Sequence, residues 1–275
     1  MVEECAELSS EIVESSTMVN YKTVVIIQAR LGSTRLPGKV LLEIEGIPVL
    51  VHIVERLRKA SNIDKIIVAT SDLPINNKIL EVCKKHKIDF FVGDEENVLK
   101  RFYDTAKKYS AKNIVRITAD CPLVDNALVD KLIVHYKINN YDYCGIATGA
   151  GVAGKKDISI FPDGLDAEIF SFNVLEKAYV SAKSKLQKEH VTPYIWQNPT
   201  MFNLGLLQSE FDYSNYRLTL DNAEDLILIK WIYAKLYWAN ANFNLKDIIT
   251  ILESNSQILS RNKHLIGKEG YEDFR

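Results

Sequence analysis

Three cations and two glycines are packed into the segment Gln28-Ala29-Arg30-Leu31-Gly32-Ser33-Thr34-Arg35-Leu36-Pro37-Gly38-Lys39. Arg30, Arg35 and Lys39 supply positive charge, Ser33 and Thr34 offer hydroxyl and amide donors, and Gly32 and Gly38 let the main chain approach an anion. The chemistry that follows is the cradling of a polyphosphate; if the charges only face water, the segment is a solvated basic turn. It is neither Gly-x-x-x-x-Gly-Lys-Ser/Thr nor Gly-x-Gly-x-x-Gly, which argues against the common NTPase loop and the dinucleotide fingerprint.

Carboxylates recur at comparable places. Asp120, in Arg116-Ile117-Thr118-Ala119-Asp120-Cys121-Pro122, ends an apolar run and can either begin a site for a hard divalent cation or cap the next helix. Asp166 and Glu168, in Pro162-Asp163-Gly164-Leu165-Asp166-Ala167-Glu168, alternate onto one face of a strand and suit the hydroxyls of a polyol; the alternative is a turn cornered by Asp163-Gly164. Arg217 shares an alternation with Thr219 and Asp221, and its guanidinium fork can take a phosphate, take a sugar carboxylate, or sit in a surface ion pair. His190 either touches an acceptor or caps a helix. Trp196, Trp231 and Trp238 have apolar neighbours at helical spacing and read as core or interface residues.

The elements that must position these groups follow from periodicity. Val24-Val25-Ile26-Ile27 is a strand buried on both faces, and the loop leaving its carboxyl end is where an open α/β sheet binds ligands. A helix with apolar residues at 49, 50, 53, 54 and 57, then a strand at 65–70, complete one βαβ unit. A helix over 75–86, a strand at 90–93, a helix over 98–109 and a strand at 113–118 continue the alternation. Helices are predicted again over 173–185, 190–196 and 225–237, with an amphipathic piece over 243–260. The pattern argues for a doubly wound, mostly parallel but mixed sheet.

Of 275 residues, 47% are hydrophobic and 25% charged, enough for one large core. The formal charge of -2 gives no overall basic field, so no nucleic acid partner is expected. Cys5, Cys83, Cys121 and Cys144 are too scattered for a disulfide framework or zinc site, and no run is long enough to span a bilayer, so the expected setting is cytoplasmic. Residues 1–19, with five glutamates and no lysine or arginine, read as a flexible acidic extension. Residues 20–260 read as one domain, 261–275 as a tail, and the glycine-rich stretch between 145 and 157 as a mobile loop.

The segment from Gln28 to Lys39 resembles the signature of the sugar cytidylyltransferases, the family of the CMP-Kdo and CMP-sialic acid synthetases. With Gln28 at its head, and with Pro162-Asp163-Gly164-Leu165-Asp166-Ala167-Glu168 and Glu189-His190-Val191-Thr192-Pro193-Tyr194, it is closest to the spore-coat polysaccharide branch. The resemblance implies a fold of the nucleotide-diphospho-sugar transferase (Rossmann-like, GT-A-like) type. It implies that CTP meets Gln28, Ala29, Arg30, Gly32, Ser33, Arg35, Lys39, Arg101 and Asp120. Asp120 and Asp221 would hold Mg2+, and Arg30, Lys39, Asp120 and Asp221 would form the catalytic set. Asp166, Glu168, His190 and Arg217 are the expected acceptor ligands. The implied activity is CMP transfer to a sugar-like, acidic acceptor with release of pyrophosphate, in a homodimer. The alternatives are a phosphorylated acceptor giving a CDP-type product, or a non-catalytic nucleotide-binding partner in polysaccharide assembly.

Overall fold

A computed structural model describes residues 22–148 and 158–267. The acidic segment 1–19, residues 268–275 of the expected tail and most of the expected glycine-rich loop lie outside the described residues.

The first strand, β1 (Thr23–Gln28), is apolar on both faces because both are covered: Val24, Val25, Ile26 and Ile27 are each 0% exposed. It pairs in parallel with β4 (Lys65–Ser71) on one side and β6 (Asn113–Thr118) on the other. β5 (Asp89–Gly93) extends the first side. Beyond β6 come β8 (Glu168–Ser171), β7 (Tyr143–Ile146) and β9 (Leu204–Leu207), giving a seven-stranded sheet of order β5-β4-β1-β6-β8-β7-β9. β8 runs antiparallel to both of its neighbours, so the sheet is mixed, as the sequence predicts.

Alternation along β1 divides the core. Val25 and Ile27 face a layer built from α1 (Val49–Leu57), α2 (Asn77–Lys85), α4 (Asn126–Ile138), α8 (Ala223–Leu236) and α9 (Leu245–Glu253). Val24 and Ile26 face α3 (Val98–Lys108), α5 (Phe172–Ser181) and α7 (Pro193–Trp196). Two elements escape the sequence pattern: the hairpin of β2 (Glu43–Ile44) and β3 (Ile47–Pro48), whose Glu45 and Gly46 both have positive φ, 51° and 75°, as a type I′ turn requires. The remaining short helices are α6 (Lys185–His190) and α10 (Ser256–Leu259).

Three expectations are corrected. The helix expected over 173–185 ends at Ser181, and α6 starts afresh with a capping box at Ser184 and Gln187. The helix expected over 190–196 is broken at Val191, where φ 71° and ψ -59° and a Thr192 N–H to His190 C=O bond of 2.8 Å define a classic γ-turn. The strand-like alternation of Arg217, Thr219 and Asp221 belongs to no ladder strand. The segment is an extended strap, held by one bridge between Arg217 and Asp163, a Leu218 N–H to Asp163 C=O bond of 2.6 Å and a Leu220 N–H to Asp120 C=O bond of 2.8 Å.

The strap lies directly against the turn at Gly164. With φ +97°, a Cβ there would meet the Thr219 nitrogen at 2.2 Å and the Leu218 carbonyl carbon at 2.4 Å, whereas one at Gly38 (φ +69°) meets nothing within 4 Å. Gly164→Ala should therefore cost about 2–5 kcal/mol, from backbone displacement added to strained φ. Gly38→Ala should cost about 1–2 kcal/mol. Equilibrium urea denaturation of the two variants measures the difference, and equal losses would contradict the docked turn.

Candidate active site

A cavity of about 400 Å³ opens at the carboxyl ends of β1 and β6. This is the crevice position that an open α/β sheet offers to ligands. Phosphate-loop residues, the start of β8, and residues of α6, the γ-turn and α7 all line it. Gln28, Arg30, Gly32, Ser33, Arg35 and Lys39 all line it, as do Asp120, Asp166, Glu168, His190 and Asp221.

The loop is pinned at both ends. Leu31 is only 7% exposed, and its N–H donates to Asn76 Oδ1 at 2.9 Å, while Asn76 Nδ2 donates to Ser71 Oγ at 2.6 Å. At the far end Gly38 takes a left-handed conformation, Lys39 opens a one-turn 3-10 helix and Val40 enters the core. Between these anchors the arginines project. Arg30 reaches Glu95 at 3.5 Å and Arg35 reaches Asp221 at 3.3 Å, their side chains 46% and 47% exposed. Ion pairs this open contribute at most about 1 kcal/mol, so either guanidinium can turn to a ligand at little cost.

Lys39 is held differently. Its ammonium donates to Asp120 Oδ2 at 2.9 Å and to Asp221 Oδ1 at 2.7 Å. Burial disfavours the ammonium, but the two carboxylates outweigh it and hold its pKa above the ordinary lysine value. Burial likewise acts to raise the carboxyl of Asp120, yet Lys39 and the Thr118 hydroxyl at 2.5 Å bring it below the usual carboxylate range. Asp120 does not cap α4: Asp125 does, accepting from Ala127 and Leu128. Asp225 is the capping acid of α8, accepting from the Asn222 N–H at 2.9 Å. Among the described residues no three His, Cys, Asp or Glu side chains form a protein-only metal cage. The Asp120 and Asp221 carboxylates nevertheless converge on one cation, and two carboxylates are what Mg2+ takes from a protein when substrate phosphates supply further oxygens.

Also in the cavity wall, Arg116 and Glu168 are register partners on β6 and β8, with Arg116 Nη1 at 2.5 Å from Glu168 Oε2. Glu168 Oε1 accepts from Tyr143 Oη at 2.5 Å and from Thr192 Oγ1 at 2.8 Å. Asp166 sits just before β8 and accepts from the Thr148 hydroxyl and the Gly164 N–H. The γ-turn strains a β-branched residue at a cost of about 1–3 kcal/mol, and it brings both His190 and Thr192 to the cavity wall. Burial, with Arg116 nearby, lowers the His190 pKa below the ordinary histidine value.

Three expected ligands do not reach the cavity. Ala29 is 1% exposed and packs in the core. Arg101 is 0% exposed on the inner face of α3, donating to the Asp94 carbonyl. Arg217, 1% exposed, lies behind the cavity wall in ion pairs with Asp163 at 2.7 Å, Asp221 at 3.3 Å and Asp225 at 3.1 Å. Conversely, Arg116, Thr118, Tyr143, Thr148, Thr192 and Trp196 line the cavity without having been singled out as ligands. Trp196 was expected in core or interface; Trp231 does pack against the core, and Trp238 is 74% exposed and donates to Glu45. Arg116 and Thr118 were findable, since a charge and a hydroxyl alternate along a strand that ends at the aspartate.

A family model described as cytidylyltransferase matches residues 24–263. A spore coat polysaccharide biosynthesis protein of Bacillus subtilis is 32% identical over 237 residues, 84% of this chain and 93% of its own length. A 3-deoxy-manno-octulosonate cytidylyltransferase of Hydrogenovibrio crunogenus is 32% identical over 155 residues, 52% of this chain and 61% of that protein. The solved structure of a cytidylyltransferase from Leptospira borgpetersenii aligns with a TM-score of 0.78 and 31% identity, covering 86% of this chain and 96% of that one.

Removing the Lys39 ammonium leaves two carboxylates facing each other, with side-chain exposures of 27% and 10%. Lys39→Met should lower the stability of the metal-free protein at neutral pH by about 3 kcal/mol. The sign with pH follows from the shifts: the Asp120 contribution is present above the unfolded carboxylate pKa and is lost as pH falls through the lower folded value. The Lys39 contribution is present below the unfolded lysine pKa and is lost as pH rises through the higher folded one. The difference in Tm between wild type and Lys39→Met should thus be greatest near neutrality and shrink in strong acid. A difference independent of pH would contradict the bridge.

Proposed function

The chain belongs to the cytidylyltransferase family, and from that premise we propose that it transfers CMP from CTP to a hydroxyl of a sugar-like acceptor, an acidic sugar, releasing pyrophosphate for surface polysaccharide synthesis. The observation that carries this reading is the convergence of Lys39, Asp120 and Asp221 beside the cation-rich loop, with Asp166, Glu168 and His190 lining the same cavity.

The chemistry is in-line displacement at the α-phosphorus, in which the protein acts mainly by positioning and charge neutralisation. Arg30 and Arg35, weakly held in the ligand-free protein, turn onto the β- and γ-phosphates and stabilise the departing pyrophosphate. Lys39, fixed by its short anchoring helix, faces the same charge. Asp120 and Asp221 would hold Mg2+, which when bound neutralises phosphate charge and favours the ionised acceptor oxygen. Gln28 and the main chain beside it would select cytosine, a role taken from the family resemblance. Asp166 and His190 face the acceptor. Glu168 is already saturated by Arg116, Tyr143 and Thr192, so its part is to orient Arg116 rather than to bind a hydroxyl itself.

The similarity to a spore coat polysaccharide protein over most of both chains supports the polysaccharide setting, and that to a 3-deoxy-manno-octulosonate cytidylyltransferase supports a sugar acid as acceptor. Pyrophosphate release measured with each of the four NTPs, Mg2+ and a panel of 2-keto sugar acids and sugar phosphates tests the reading. CTP with a sugar acid should give turnover, and release with none of the pairs would refute it. Lys39→Ala should lower kcat by about 100-fold or more. Unchanged turnover in that variant would remove the loop from the reaction.

A further inference from the structure

Five carboxylates line the cavity, and four of them are matched by cations. Lys39 bridges Asp120 and Asp221, Arg116 takes Glu168, and Arg217 takes Asp163. Asp166 is the exception: among the described residues no lysine, arginine or histidine nitrogen lies within 4 Å of it, and its oxygens accept only from the Thr148 hydroxyl and the Gly164 N–H. Neutral donors orient a carboxylate without cancelling its basicity as an ion pair does. Its location is also specific. The Gly164 turn that hydrogen-bonds Asp166 is docked on the strap that carries Asp221, so the carboxylate is indexed to that strap through backbone contacts.

We propose that Asp166 is the general base of the reaction, and hence that the acceptor presents a neutral hydroxyl rather than a phosphate to the α-phosphorus. The proposal rests on the cytidylyltransferase reading above. In the step, an Asp166 carboxylate oxygen takes the proton of the acceptor O–H as the oxygen forms its bond to the α-phosphorus. The bond from that phosphorus to the bridging oxygen breaks, its electron pair leaves with pyrophosphate, and Asp166 later returns the proton to water. A phosphate acceptor needs no such base, since its oxygen is already ionised near neutrality. Its dianion beside Asp166 would also meet a like charge, since the neighbouring Arg116 is already paired with Glu168, and such a contact disfavours binding. Burial pushes the Asp166 carboxyl above the usual carboxylate range, in the direction that strengthens a base. His190 also lines the cavity and is the competing base, with its basicity reduced by burial and Arg116.

The test uses the full chain with CTP, Mg2+ and 3-deoxy-manno-octulosonate, with a hexose 1-phosphate run in parallel. Asp166→Asn should lower kcat by about 10²–10⁴-fold while KM for CTP and for the sugar acid stays within about threefold. Calorimetric CTP binding unchanged from wild type shows that the variant is folded. Asp166→Ala, which leaves room for a small carboxylate, should recover activity on addition of formate, whereas His190→Gln should not respond to it. Retained kcat in Asp166→Asn, a loss confined to acceptor KM, absence of formate rescue, or faster wild-type turnover of the hexose 1-phosphate would each overturn the proposal. Failure of wild-type protein to bind CTP at all would instead refute the family-based reading, and the base with it.

Discussion

A guanidinium taken fully out of water has to be met by carboxylates, and Arg217, with a side chain 0% exposed, collects three of them. Asp225 caps α8, Asp221 stands in the candidate metal pair and Asp163 begins the acceptor-side turn. Asn262 closes the cluster from the chain's far end, its amide donating to the Arg217 carbonyl at 3.0 Å and to Asp225 Oδ1 at 2.9 Å. A charge buried this deeply is costly unless every partner keeps its place, so the cluster sets geometry more than it adds stability. What it sets is the placement of Asp163, Asp221 and α8 against one another. The guanidinium adds a side-chain tie between Asp221 and Asp163 to the backbone bond that already joins the strap to Asp163.

The cavity charges therefore fall into two mechanical classes. Arg30 and Arg35 are half exposed and weakly paired, while the carboxylates are fixed by backbone, by cations or by hydroxyls. An arriving polyphosphate meets mobile cations and immobile anions. That division suits a site that must first gather a flexible, highly charged ligand and then align one oxygen with one phosphorus. Lys39 belongs to neither class: it is a fixed cation, and its ammonium keeps the two aspartates at hydrogen-bond distance from one point when no ligand is bound.

What could be read from the chain beforehand was whatever depends on near neighbours. The apolar run 24–27 acts within a few residues, and it forms β1 where local pattern puts it. The Asp163-Gly164 corner and the alternation of Asp166 with Glu168 were legible for the same reason. The pairing of Arg116 with Glu168 was not, because it depends on strand register across 52 residues of separation. Arg217 was misplaced because alternation along a strand says which side a residue takes, not how deep the strap lies. The break at Val191 defied propensity, since tertiary contacts impose a positive φ that a β-branched residue disfavours.

Asp166 and Glu168 show why residue type alone cannot assign roles. Two residues apart and lining one cavity, they differ in what the fold sets against them. Glu168 lies inside β8, where the ladder delivers Arg116 from β6, and the same ladder delivers Tyr143 from β7. Asp166 lies just before the ladder begins, where a loop hydroxyl and a turn amide are the partners supplied. One carboxylate is thereby consumed in holding a cation, and the other is left oriented but uncompensated. Carboxyl groups placed in unlike environments divide orienting from proton-transfer work in acid–base enzymes generally. Here the division follows from where a strand starts.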